Sequence, residues 1–511
     1  MSKVFLSLFL VLFFTLPLFA QSVDTAWVRK YNGTGSNNDI SMGIAVDGSG
    51  NVIVSGYSDG GISTHSDYLT IKYNPDGDTV WLKRYNDPAN GYDTTKAMIM
   101  DNSGNIYVTG YTCGNPTTKC DYLTLKYLPN GELSWVGKYN GTGSDDDKAQ
   151  AIGLDGSGNV YVTGYSSDGI DYNIVTIKYL PGGDTVWVRK FPLAGAVFSI
   201  AVDNPGNYYL AGATVDSSQV SYLTVKCSTN GTCVSKTYNG PGDGMDAAND
   251  VTVDDSGYIY VTGFSTGIGT ERDYLTIKYK PDLSDTVWVR RYCMPGGVDE
   301  EIAQAIEVDD SGNVYVTGAA FLSGTGWLCA TIKYNSDGDS AWTRKFRGAS
   351  GGGPDKNFTL TLDNSNNIYV AGGTHDHPEA DDFATMKYYP NGDSACMKRY
   401  NGSANLSDWA NAIVTDDSGN VYVTGWSSSD SSSYPKDFVT IKYVQFLRGN
   451  VNGDGKISLS DIVYLINYLF KFGPAPVPIQ SGDANCDGKV SLGDIVYLIN
   501  YLFKFGPAPC I

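Results

Sequence analysis

The residues best suited to chemistry lie near the C-terminus. Asn450-Val451-Asn452-Gly453-Asp454-Gly455-Lys456-Ile457-Ser458-Leu459-Ser460-Asp461 carries oxygen-bearing side chains at its first, third, fifth and twelfth positions, with glycine sixth. The stretch from Asp483 to Asp494 repeats this, with Asn485 third, Asp487 fifth and Gly488 sixth. A hard divalent cation takes about six to eight oxygens, and glycine allows the sharp bend that wraps a short loop round it. The spacing is that of a calcium loop. Lys456 and Lys489 could contribute only backbone carbonyls there, and Ser458 and Ser491 could act through water.

Each loop runs into a predicted helix, Ile462 to Phe470 and Ile495 to Phe503, with Ile462, Leu465, Ile466 and Leu469 at helical spacing. Gly473-Pro474 and Gly506-Pro507 end the helices. No entering helix precedes either loop, and the twelfth position is Asp where an EF-hand has Glu. Half EF-hands in tandem resemble a type I dockerin, the calcium-dependent module that binds a cohesin, over residues 450 to about 505. The resemblance implies a first ligand set of Asn450, Asn452, Asp454, the Lys456 carbonyl, Ser458 and Asp461. The second set is Asp483, Asn485, Asp487, the Lys489 carbonyl, Ser491 and Asp494. Asn450 departs from the usual Asp, so the first loop has two carboxylates against three and should bind calcium more weakly. The tenth and eleventh positions, where dockerins often carry recognition residues, are Leu459-Ser460 and Leu492-Gly493, and the leucines are unusual there. The halves are nearly identical over Asp461–Pro476 and Asp494–Pro509, so the module could dock in two orientations. A purely structural calcium domain without a partner is the competing reading.

The elements before the module follow one period. Asp101-Asn102-Ser103-Gly104-Asn105-Ile106-Tyr107-Val108-Thr109-Gly110 recurs in near-copies from Asp47, Asp155, Asp203, Asp254, Asp309, Asp363 and Asp416. Each unit holds four β-like runs, for example 97–100, 106–110, 122–127 and 135–139, joined by tight-turn residues. Strands such as Val160-Tyr161-Val162 are apolar on both sides, as suits a sheet packed between two neighbours. The pattern points to a β-propeller of four-stranded blades. The third strand occurs eight times, ending near Tyr73, Tyr127, Tyr179, Cys227, Tyr279, Tyr334, Tyr388 and Tyr443. The fourth also occurs eight times, but its first copy, at Trp27, precedes any complete unit, and the last unit stops at Tyr443. The expectation is an all-β, eight-bladed propeller over 24–443, closed by the N-terminal strand. A short link at 444–449 and a small α-helical calcium-binding domain at 450–511 complete the chain. The D-x-S-G-N-V-Y-V-T-G and D-Y-L-T-I-K-Y strings resemble the SBBP-type propeller repeats of bacterial secreted and surface proteins, a family without one agreed chemistry.

The chain has 511 residues, with 60 Gly, 37 Tyr, 3 His and a net charge of −19. That charge argues against nucleic-acid binding. Lys3, the apolar run from Val4 to Phe19, and Ala20 have the layout of a signal peptide over 1–20, and no other stretch is apolar enough for a membrane span. Export makes disulfides permissible. Cys113–Cys120, Cys227–Cys233 and Cys486–Cys510 are the plausible pairs.

Two sets of loops should share one face. The first set carries a recurring acid: Asp39, Asp93, Asp147, Asp246, Glu301, Asp355 and Asp408, with Gly195 as the exception. These acids either cap their own loops or ring the central channel and attract cations. In the second set, His375-Asp376-His377-Pro378-Glu379 with Asp381 and Asp382 gathers metal-binding types, and Trp327, Trp426 and Tyr434 could stack on sugars. No catalytic motif stands out. The expectation is a secreted, non-catalytic, scaffold-attached protein with a cohesin-type partner and a carbohydrate as candidate ligand. The alternatives are a polysaccharide-active hydrolase or lyase, serving polysaccharide catabolism, and a structural cell-surface protein.

Overall fold

A computed structural model describes residues 22–509 except 34–37, 61–64, 115–118, 143–144, 217–218, 243, 295–299, 324–325, 349–357, 378–379, 430–434, 455 and 505. The expected signal peptide, Asp355, Pro378, Glu379, Tyr434, Gly455 and Cys510 therefore lie outside the described residues, as do the side chains of Asp376 and His377. The described residues fall into two compact units, one spanning Thr25–Val444 and one that takes in Gln445–Ile511.

The repeated turn explains itself at Asp101. One carboxylate oxygen accepts the backbone N–H groups of Ser103 and Asn105, both at 2.9 Å. The other accepts the Asn105 amide at 2.8 Å and the Tyr107 hydroxyl at 3.1 Å. Gly104 closes the turn at φ +78°, a backbone that costs glycine nothing. Asp, Gly, Asn and Tyr thus recur because each completes one turn. The strands on either side, Asp93–Met100 and Ile106–Cys113, pair antiparallel and run longer than the sequence pattern indicates.

Among the described residues there are strands β1 to β31 in chain order, forming six four-stranded sheets and one of seven. The first complete sheet is β2 (Asp39–Val46), β3 (Val52–Asp59), β4 (Ser66–Tyr73) and β5 (Thr79–Tyr85), in sequential order. The seven-stranded sheet arises from a single strand of 18 residues, β13 (Thr185–Val202). Its first half pairs with the strand before it, Val175 opposite Lys190, and its second half with the strand after it, Val197 opposite Gly212. Elsewhere a loop stands at that point.

The last sheet has the order β1 (Ser22–Tyr31), β31 (Lys436–Phe446), β30 (Val421–Ser428), β29 (Asp408–Thr415). Trp27 in β1 donates its indole N–H to the Pro75 carbonyl at 3.0 Å. Trp81, Trp135 and Trp342 make the same bond to Pro129, Pro181 and Pro390 of the following sheets. The Asn411 amide on β29 donates to the Ser41 carbonyl on β2 at 2.8 Å, and the Ser41 and Thr424 hydroxyls are bonded at 2.7 Å.

The apolar core lies between successive sheets. One cluster joins Tyr107 and Tyr122 to Ile152, Val160, Val162 and Val175, and another joins Trp27, Tyr422 and Phe438 to Val52, Val54 and Leu69. The many tyrosines are used at these contacts. Tyr68, Tyr122 and Tyr274 are buried, and each hydroxyl reaches a carbonyl of the next sheet, at Leu123, Val175 and Ala330. A buried ring keeps its polar tip satisfied this way.

Candidate calcium loops and the propeller face

In the C-terminal unit, helix α1 spans Leu459–Lys471 and α2 spans Leu492–Lys504. Each begins three residues before the start read from apolar spacing. Ser458 is the reason. Its hydroxyl accepts the Ser460 N–H while Asp461 accepts the Ser458 N–H at 2.8 Å, a reciprocal cap that opens the helix at Leu459. The Ser491 hydroxyl likewise accepts the Gly493 N–H at 3.1 Å, and Asp494 accepts the Ser491 N–H at 2.8 Å.

The caps fix the twelfth-position carboxylates. Asp461 and Asp494 are fully buried. Asp461 also accepts the N–H groups of Val451 and Asn452 at 2.7 and 3.1 Å, and Asp494 that of Asn485 at 3.1 Å. Asn452 accepts the Asp454 N–H and Asp454 the Lys456 N–H, each at 3.0 Å, and Asn485 and Asp487 do the same in the second loop. Bonds from Asn452 and the Lys456 N–H hold the exposed Asp454 carboxyl below its ordinary range. Gly488 takes φ +83°. Each loop is folded on itself by its own oxygen side chains.

The donor set fits a hard cation. Asn450 presents a buried side-chain oxygen without a hydrogen-bond partner, the type of group a bound calcium would satisfy. The first positions differ in charge and in surroundings. Asp483 accepts the Asp487 and Gly488 N–H groups at 3.1 and 3.2 Å, and the Arg448 guanidinium lies 3.1 Å from it. Sequence spacing gave no sign of Arg448, which also donates to the Gln480 and Asp483 carbonyls.

Beneath the loops Val451, Ile462, Leu465, Ala484, Ile495 and Leu498 form a small core. Outward, Leu459, Val463 and Phe470 are 58%, 48% and 60% exposed, and their counterparts Leu492, Val496 and Phe503 are 57%, 49% and 61% exposed. The same apolar stripe is therefore bare on both helices. Cys486 is disulfide-bonded.

On the larger unit the recurring acids turn inward. Asp39, Asp93, Asp147, Asp246, Glu301 and Asp408 are buried. Five of them accept the backbone N–H of Gly33, Asp87, Gly141, Gly240 and Gly402, each six residues back, at 2.5–2.9 Å. They cap their loops and do not form a solvent-facing cation ring. Burial pushes the Asp93 and Asp408 carboxyls up to about 6 against these bonds.

The other sites read from loops also changed. His375 and His377 lie at the end of the strand Ile368–His377, and the His375 Nδ1 is 2.8 Å from Asp381, which also accepts the Trp409 indole N–H at 3.0 Å. Trp327 and Trp426 are on strands. Trp327 packs edge-on against Phe321, and Trp426 stacks on Trp409 with Lys436 over its face at 4.0 Å. Asp273, Cys293 and Glu301 come together instead, but the Arg291 guanidinium is 2.5 Å from Asp273, and burial and the neighbouring acids push the Cys293 thiol up to about 11. The local disulfides Cys113–Cys120 and Cys227–Cys233 are formed. No described helix is long and apolar enough to cross a membrane.

Comparison with known proteins agrees with this architecture. Among curated proteins none matches the chain. The crystal structure of Sqt1 from Chaetomium thermophilum is 10% identical, covers 84% of this chain and 99% of that one, and gives a TM-score of 0.51. A polysaccharide lyase, PL25-Ulvanlyase, is 12% identical, covers 74% and 97%, and gives 0.37, too slight a likeness to speak of chemistry. Such likeness concerns fold alone. Residues 448–503 match the family described as Dockerin type I domain, whose members bind calcium and dock cohesins, typically outside the cell or at its surface. Residues 80–116 and 398–431 match the family described as Beta-propeller repeat. The chain carries SBBP-type β-propeller repeats and a C-terminal type I dockerin domain.

Proposed function

We propose that this is a secreted, non-catalytic binding protein held to a cohesin-bearing scaffold or surface by its C-terminal module. Residues 24–443 form an eight-bladed ring closed by the Trp27 strand, 444–449 a link and 450–511 the docking module. The β1–β31 pairing, the Trp27 bond to Pro75 and the Asn411 bond to Ser41 support the closed ring. Two calcium ions occupy the two loops, held by Asn450, Asn452, Asp454, the Lys456 carbonyl, Ser458 and Asp461, and by Asp483, Asn485, Asp487, the Lys489 carbonyl, Ser491 and Asp494. The ions supply the charge that holds each loop closed on the start of its helix.

The observation that carries the docking assignment is the apolar stripe left bare on both helices. Leucine at the tenth position of each loop opens that stripe, so a partner should meet it with an apolar face, in either of two orientations. Pull-down of a cohesin domain with the full chain should require calcium and survive Val463→Asp or Val496→Asp alone. It should fail when both are replaced. Capture undiminished by the double change would exclude the stripe, and release of shortened glycans would favour an enzyme.

A further inference from the structure

We infer that the face bearing Tyr57, Tyr111, Tyr165 and Tyr172 is a binding track for a neutral oligosaccharide. The inference rests on the reading of the larger unit as a binding module. Tyr57, Tyr111, Tyr165 and Ala213 hold the same register in four successive strand pairs, opposite Ile40, Thr94, Lys148 and Ala196. The three rings are half-buried, with the exposed Tyr172 set edge-on to Tyr165 at 5.3 Å. At the fourth position the ring gives way to alanine and a cavity of about 680 Å³ opens, lined by Tyr165, Ile170, Asp171, Tyr172, Gly195 and Val215. A second, of about 340 Å³, lies between Tyr57, Asp59, Tyr92, Lys96 and Tyr111.

The larger cavity has a structural cause. Elsewhere a loop such as Tyr85 to Asp93 folds over the sheet end and is capped by its buried acid. From Phe191 to Gly195 there is no such loop, because β13 runs straight from one sheet into the next. Gly195 takes the acid's place, where a Cβ would come 2.2 Å from the Ala213 carbonyl oxygen. The omitted loop leaves the wall open beside two tyrosines.

The polar groups along the track select the ligand class. Lys96 and Lys148 lie over the Tyr111 ring at 5.8 and 5.3 Å, and Lys148 is 2.9 Å from Asp146. Lys190 is 3.3 Å from Asp168, and Asp59 and Asp171 line the cavities. Neither sign prevails, so neither a polyanion nor a basic peptide is matched. A sugar hydroxyl both donates and accepts, as carboxylates and ammonium groups require of an uncharged partner, while the C–H face of a pyranose suits an aromatic ring. Two cavities and an aromatic row fit several linked rings rather than one.

Calorimetric titration of the calcium-loaded full chain with neutral cello-, xylo- and manno-hexasaccharides, and with an oligogalacturonate, tests this. At least one neutral chain should bind, and Tyr111→Ala and Tyr172→Ala should each weaken it by about tenfold. Tyr172→Phe should keep the affinity, which separates lost stacking from lost folding. Binding of the galacturonate alone, no neutral binding, or binding that outlasts both tyrosine changes would overturn the track. Cohesin capture by the same samples reports on docking separately. Retained capture without sugar binding sinks this inference alone, and sugar binding without capture sinks the docking assignment alone.

Discussion

The first-position residues of the two calcium loops show how a single side chain can set affinity. Asn450 brings a buried neutral oxygen, while Asp483 brings a charge that already has Arg448 beside it. Counting carboxylates alone makes the second loop the tighter. The guanidinium offsets part of that advantage, since it must share Asp483 with the ion. Asn450→Asp should therefore tighten the first loop by roughly tenfold, and Arg448→Gln should tighten the second by a few-fold. Asp487→Ala should loosen the second by more than either gain. Calcium calorimetry on the three variants checks the order, and an unchanged second-loop affinity in Asp487→Ala would remove that residue from the ligand set. The oxygen side chains at positions one, three, five and twelve can be picked out in the sequence because oxygen spacing is a local property. Arg448 cannot, because its partner lies 35 residues away along the chain.

At the scale of elements, the sequence marks the turns more sharply than the helix starts. Asp-x-Ser-Gly-Asn marks its turn because the bonds that close the turn, as at Asp101, all fall within six residues of the aspartate. The helices begin earlier than apolar spacing indicated, because Ser458 and Asp461 decide the start through hydrogen bonds and apolar spacing cannot register a cap. Ser458→Ala should cost the module about 1 kcal/mol, read as faster amide exchange in α1. The sequence pattern assigns Trp327 and Trp426 to loops because the third strand at Gly326–Tyr334 and the second at Val421–Ser428 run longer than their β-branched cores suggest. The Trp27 strand was legible from a count of copies, and its side chain makes the matching prediction. Trp27 is 7% exposed against Val52, Val54 and Tyr73, so Trp27→Ala should cost about 3–5 kcal/mol in urea unfolding of the larger unit. A loss below 1 kcal/mol would mean that the first strand adds little to the last sheet.

For the whole molecule, the inward acids make stability depend on pH in an unusual direction. The recurrence of these residues was visible in the sequence, but their burial was not, because burial depends on how the loop closes over them. In the unfolded chain an aspartate titrates at about 3.9. Folded Asp93 and Asp408 hold their protons up to about 6, because burial disfavours the charge. Between these values the folded state binds protons that the unfolded state has released, so stability falls as pH rises through that window and levels off above it. Each carboxyl contributes on the order of 3 kcal/mol of this change. The turn aspartates act oppositely. Asp47, Asp155 and Asp363 titrate below their ordinary value, because bonds from the Asn amides and turn N–H groups outweigh the cost of burial, so they lose their stabilising bonds as pH drops under about 4. The two trends enclose an optimum on the acid side, and thermal melts at fixed calcium should peak near pH 5. Asp93→Asn keeps an oxygen for the Asp87 N–H and removes the charge. It should melt higher than the wild type at pH 8, with the difference gone at pH 4, whereas a variant that melts lower at both would show that the aspartate stabilises the fold as an anion.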